Sequence, residues 1–193
     1  MSNNKIEILS KSRELFEKFG YQKTTLTDIA KSVGKVKTAI YYYFSGKEEI
    51  FADLVRTEAE DFYMKLVNAI DRSDEPMEQL RTYIVKRVQL MQEISQRYSF
   101  LKREFFELMP TVEENRIKVD VLELELLSGI LDKGLASKDF NFESTEFTAK
   151  VLFNTIKGLE VQMYVTDRVV IDEVKMPHFV NFLINGITGP TTN

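Results

Sequence analysis

Within thirteen residues the chain sets Tyr41, Tyr42 and Tyr43 among Lys35, Lys37, Thr38 and Lys47. That combination of side chains suits duplex DNA. Lysine reaches guanine acceptors or phosphate oxygens, and tyrosine donates to phosphate and lies against thymine methyls. Consecutive helical residues point about 100° apart, so three tyrosines in a row cannot all face one core; Tyr41 is the expected half-buried one. Elsewhere the means for catalysis are sparse. With no cysteine, disulfides and thiolate metal sites are excluded, and the single histidine, His178, has no partner spacing for a metal or a triad. Glu104, Glu107, Glu113 and Glu114 are spaced like the solvated face of a helix, and no glycine-rich phosphate loop accompanies them. No enzyme, metal or cofactor is expected.

The net charge of −4 looks wrong for a DNA-binding chain until the sequence is divided. Residues 1–46 hold eight basic and four acidic side chains, a balance of +4, which leaves −8 for the rest. A basic head on an acidic body fits a protein that meets phosphates with one end. A hydrophobic fraction of 44% is enough for a sizeable core, and 29% charged residues argue against disorder. The opening Met-Ser-Asn-Asn-Lys lacks the apolar core of a signal peptide, and no apolar run approaches the roughly 18–20 residues that span a bilayer. A cytoplasmic location is expected.

The elements that must carry the tyrosines and lysines are helices. Ile8, Leu9, Ser12, Leu15, Phe16 and Phe19 recur at helical spacing, and Gly20 stops that first helix. Thr27 is read as the N-cap of a short second helix with Asp28 at its positive end. Ile29, Ala30 and Val33 form its buried face. Gly34 turns the chain, and a third helix from about Lys37 to Phe44 is anchored by Ile40 and Phe44. Two short helices joined by a tight glycine turn make a helix-turn-helix, whose third helix enters the major groove. Ser45, with Glu48 three residues on, is read as a capping box for a long fourth helix that ends at the Ser73-Asp74-Glu75-Pro76 break. Later helices are expected at about 76–95, 97–109, 112–135, 143–166 and 174–188, with Pro110 separating two of them. The chain is therefore all-α, with about nine helices. The domain boundary falls in the fourth helix, leaving a DNA-binding domain at 1–46 and an effector-binding and dimerisation domain at 47–193.

Gly20-Tyr21, Thr24-Thr25, Asp28-Ile29-Ala30, Val33-Gly34, Ile40 to Phe44 and Lys47 to Phe51, at these spacings, resemble the DNA-binding signature of the TetR/AcrR family of repressors. The resemblance covers roughly residues 5–52. It implies that Thr27 and Lys47 contact phosphates through helix ends, with Tyr41 and Tyr43 also on the DNA backbone. Lys35 lies beside them, and Lys37, Thr38 and Tyr42 would face the major groove. Tyr43 stands where the family most often has histidine, and Thr38 where it commonly has glycine. Small residues at Thr38 and Ala39 make the base-reading surface poor in bidentate readers, so selectivity would rest partly on DNA shape.

The resemblance gives the C-terminal half two duties. One is dimerisation, through Phe147, Val151, Leu152, Ile156, Leu159 and Met163 on one helix and Phe179, Phe182 and Leu183 on the next, with Gly158 and Gly186 allowing close approach. The other is sensing of a small apolar or aromatic effector by a cavity lined by Tyr83, Met91, Phe100, Phe105, Phe106 and Met109, with Arg97, Lys102 and Arg103 available to an acidic group on it. The expected partners are a palindromic operator, a second copy of the chain and that effector. A regulator with a filled core and no small-molecule ligand, constitutive or controlled by a partner, is the alternative.

Overall fold

The computed structural model describes residues 3–99, 101–165 and 171–188, without the side chains at 101–103, 105, 164 and 165. Its described residues form eight helices and no strand. They are α1 (Asn3–Phe19), α2 (Leu26–Ser32), α3 (Lys37–Ile40), α4 (Lys47–Ile70), α5 (Pro76–Arg97), α6 (Leu101–Ser137), α7 (Thr145–Val165) and α8 (Met176–Thr188). The all-α expectation holds, with one helix fewer than expected. Pro110 lies inside α6 and does not divide it. A proline removes one hydrogen bond and bends a helix; in a 37-residue element the flanking turns carry the helix across that gap. Among the described residues, no helix is long and apolar enough to cross a membrane.

The chain forms two compact units, Met1–Glu60 with Ser95–Ile117, and Asp61–Ile94 with Lys118–Asn193. In the first, Ile8, Phe16, Ile29, Ile40, Phe44 and Ile50 are completely or almost completely buried. Phe16, Tyr21 and Phe51 form an aromatic triangle with centroids 5.1–6.1 Å apart. Phe19, expected on the buried face of α1, is instead 48% exposed, because Gly20 (φ 87°) turns the chain directly after it.

The core of the second unit is largely apolar but encloses one charged cluster. Arg87 and Tyr83 of α5, Glu123 of α6 and Glu160 of α7 are all buried there. The Arg87 guanidinium donates to Glu123, lies 2.8 Å from a Glu160 oxygen and stacks 5.2 Å from the Phe153 ring centre. Tyr83 donates to the same Glu123 oxygen at 2.8 Å. The two carboxylates and the Tyr83 hydroxyl hold the Arg87 pKa above its ordinary value despite burial, which acts to lower it.

Candidate nucleic-acid interface

The helix-turn-helix is assembled by local contacts. Thr25, not Thr27, is the N-cap of α2: its hydroxyl accepts from the Asp28 N–H at 3.2 Å, and the Asp28 carboxylate accepts from the Thr25 N–H at 3.0 Å. The Thr25 hydroxyl and then its N–H hold the Asp28 carboxyl below the usual range. Thr27 sits exposed inside the first turn of α2. After α2, Gly34 takes φ 65°, and the Lys35 amide donates to the Ala30 carbonyl at 2.8 Å, closing the turn into α3. Ile40 and Phe44 are buried beneath that turn, as expected.

The regular part of α3 is shorter than expected. It ends at Ile40, and Tyr41–Tyr43 form a turn, with Tyr43 and Phe44 both donating to the Ile40 carbonyl at 2.9 and 3.0 Å. Tyr41 is not the half-buried tyrosine. It is 49% exposed with the Lys37 ammonium 5.8 Å from its ring centre, and Tyr42 is 84% exposed. Tyr43 is the half-buried one; its hydroxyl accepts from the Asn4 amide at 2.8 Å and its ring meets Tyr42 edge-on at 5.0 Å. Lys37 and Thr38 are exposed, and Lys35 is half-buried. Beside them stands a residue the sequence reading passed over. Val36, the residue before α3, is 68% exposed between two lysines, an apolar surface of the kind that meets thymine methyls. Its signal was available, since nothing in the hydrophobic periodicity calls for an apolar residue there.

Lys47 starts α4, but its ammonium is engaged: it donates to the Tyr21 carbonyl at 2.9 Å and lies 4.1 Å from the Tyr21 ring centre. The expected capping box at Ser45 and Glu48 is also replaced. Glu49 reaches back instead, accepting from the Ser45 N–H and hydroxyl at 2.7 Å each, which holds its carboxyl below the usual range. Glu48 accepts from the Tyr21 hydroxyl at 3.3 Å. Of the acidic residues expected on a solvated face, Glu104 is half-buried and accepts from the Tyr21 and Gln22 amides, while Glu107 stays exposed and accepts from the Gln22 side chain.

The residues assigned to dimerisation divide into two groups. Phe147, Val151 and Phe182 are 69%, 47% and 75% exposed, and a side chain built at Gly158 or Gly186 would meet nothing. Leu152, Ile156, Met163 and Leu183 are buried within the protomer, and Leu159 and Phe179 are half-buried. The reason is geometric. α7 carries one stripe through Phe147, Val151 and Gly158 and another through Leu152, Ile156 and Met163, about 140° round the helix. The effector-site residues belong to both units. Tyr83 and Met91 are buried in the second unit, Met109 is half-buried in the first, and Phe106 is 84% exposed rather than lining a cavity. Phe100, and the side chains of Phe105, Lys102 and Arg103, lie outside the described residues. Arg97 is paired with Glu58 at 3.1 Å.

Residues 8–54 match the family of bacterial regulatory proteins, tetR family. The chain is 24% identical over 163 residues to the HTH-type transcriptional regulator YfiR of Bacillus subtilis, covering 79% of this chain and 76% of YfiR. It is 37% identical over 59 residues to the HTH-type transcriptional repressor AcnR of Corynebacterium diphtheriae, an alignment spanning 31% of each protein. Its fold is similar to that of the transcriptional regulator FadR of Bacillus subtilis, solved in complex with stearoyl-CoA, with a TM-score of 0.71 and 22% identity over 94% of this chain and 98% of that one.

Proposed function

We propose that this chain is a TetR/AcrR-family transcriptional regulator rather than an enzyme, and that it acts as a cytoplasmic homodimeric repressor that leaves its operator when a small apolar or aromatic effector binds. The observation that carries the DNA-binding part is the exposed surface of Val36, Lys37, Thr38, Tyr41 and Tyr42, held on a fully buried Ile40 and Phe44. A rigid, solvent-facing strip of cations, hydroxyls and one aliphatic side chain serves groove and phosphate recognition and has no folding role. In this reading Lys37, Thr38 and Tyr42 meet base edges, Val36 meets a thymine methyl, and Thr27, Lys35, Tyr41, Tyr43 and Lys47 meet the DNA backbone.

The exposed apolar surface of Phe147, Val151 and Phe182, with open glycines beside it, supports pairing of α7 and α8 with their copies in a second protomer. Two heads on a two-fold axis then read a palindrome. The effector reading draws on the apolar content of the second unit and on the FadR complex with stearoyl-CoA. Its physics is differential affinity: the effector must prefer the protein conformation that does not fit the operator. Selection of duplexes from a random pool should return a two-fold symmetric sequence. Recovery of no preferred sequence would sink the operator reading, and operator affinity unchanged with an effector bound would remove the release mechanism.

A further inference from the structure

The loop that ends α1 is gripped from α6. The Tyr21 and Gln22 amides, directly after the left-handed Gly20, both donate to the Glu104 carboxylate, one to each oxygen, at 3.1 Å. The Gln22 side-chain amide donates to Glu107, one turn further along α6. On the other side of the same residue, the Tyr21 carbonyl accepts from the Lys47 ammonium, which also covers the Tyr21 ring, while the Tyr21 hydroxyl donates to Glu48. Two carboxylates, Glu104 and Glu48, therefore bond the one residue to which Lys47 is bound, and a third, Glu107, bonds its neighbour Gln22. Successive backbone N–H groups after a left-handed residue form a natural anion cradle, and here the protein's own carboxylate fills it. Hydrogen bonds of this charge-assisted kind are roughly twice as strong as neutral ones.

We propose that Glu104 and Glu107 form an autoinhibitory clamp: by fixing Tyr21 and Gln22 they keep the Lys47 ammonium on the Tyr21 carbonyl and away from DNA phosphate. This rests on the phosphate-contact role of Lys47 proposed above. The clamp sets the resting DNA affinity of the head below what its lysines can deliver, and it makes the first turns of α6 a control point for that affinity. Negative charge held beside Lys47 acts in the same direction, since it lowers the local attraction for phosphate.

The test is binding of full-length protein to a mixed-sequence duplex over a salt series. Wild type, Glu104→Gln and Glu107→Gln are compared, each with and without Lys47→Gln. Opening the clamp should add one phosphate contact, so the plot of log affinity against log salt steepens by about 0.9. Affinity at low salt should rise about three- to tenfold. Glu107→Gln alters an exposed side chain that accepts from the Gln22 amide, so it keeps the fold and should show the smaller part of the gain. The gain must vanish with Lys47→Gln. Unchanged slopes in folded variants overturn the clamp, as does a gain that survives Lys47→Gln, which would reflect net charge alone. Should Glu104→Gln fail to fold, Glu107→Gln decides by the same criteria. Wild type with no salt-dependent binding would instead overturn the DNA-binding reading itself.

Discussion

Of three consecutive tyrosines, Tyr42 is open to solvent, Tyr43 takes a hydrogen bond from Asn4, and Tyr41 lies near Lys37. Each therefore answers differently to substitution. Tyr42→Ala should cost about 1–3 kcal/mol of specific DNA binding and leave the melting temperature of the free protein unchanged. Specific binding that is also unchanged would remove Tyr42 from the interface. Arg87 behaves in the opposite way. Arg87→Met leaves Glu123 and Glu160 buried without their cation, and loss of one partner from a buried ionic cluster costs about 3–5 kcal/mol. Chemical denaturation should show that loss; a stability close to wild type would mean the carboxylates find water or protons instead. The role of Arg87 was not legible in the sequence. A lone arginine in a helix reads as solvated, and its partners lie 36 and 73 residues away.

At the scale of elements, legibility followed sequence distance. Gly20 and Gly34 end their helices with positive φ as expected, because a single residue type decides that geometry. Both Thr25 and Thr27 satisfy the composition rule for the cap of α2, but only Thr25 has Asp28 at the distance the reciprocal bond needs. Thr25→Ala should therefore cost about 1 kcal/mol, while Thr27→Ala stays near neutral; equal costs would return the cap to Thr27. Asp28 adds a pH signature. Its folded pKa lies below the unfolded one, so its contribution is present above the unfolded carboxyl range and is lost as pH falls through the folded value. Asp28→Asn should flatten that part of the acid unfolding profile. Pro110 shows the opposite failure. A strong local rule placed a break where the surrounding helix continues through.

For the whole molecule, the division of α7 into an inward and an outward stripe sharpens the dimer reading. Phe147→Glu or Phe182→Glu should give folded monomers by sedimentation, since both side chains already face solvent in the protomer. Leu152→Glu places a charge in the core and should unfold the chain. Folded dimers from both phenylalanine variants would move the interface elsewhere. Hydrophobic periodicity makes α7 one apolar helix and does not divide it, because two apolar faces of one helix look alike until the neighbouring helices are known.

The charged cluster of Arg87, Glu123 and Glu160 constrains how this sequence can drift. Any one of the three changed alone strands the others in a dry interior, whereas replacing the cluster together by apolar residues of matching volume is often neutral or stabilising. Its positions on α5, α6 and α7 are thus expected to show sign epistasis. Variants harmful singly should be tolerated in combination, and descendants of this protein should keep the trio intact or lose it as a block.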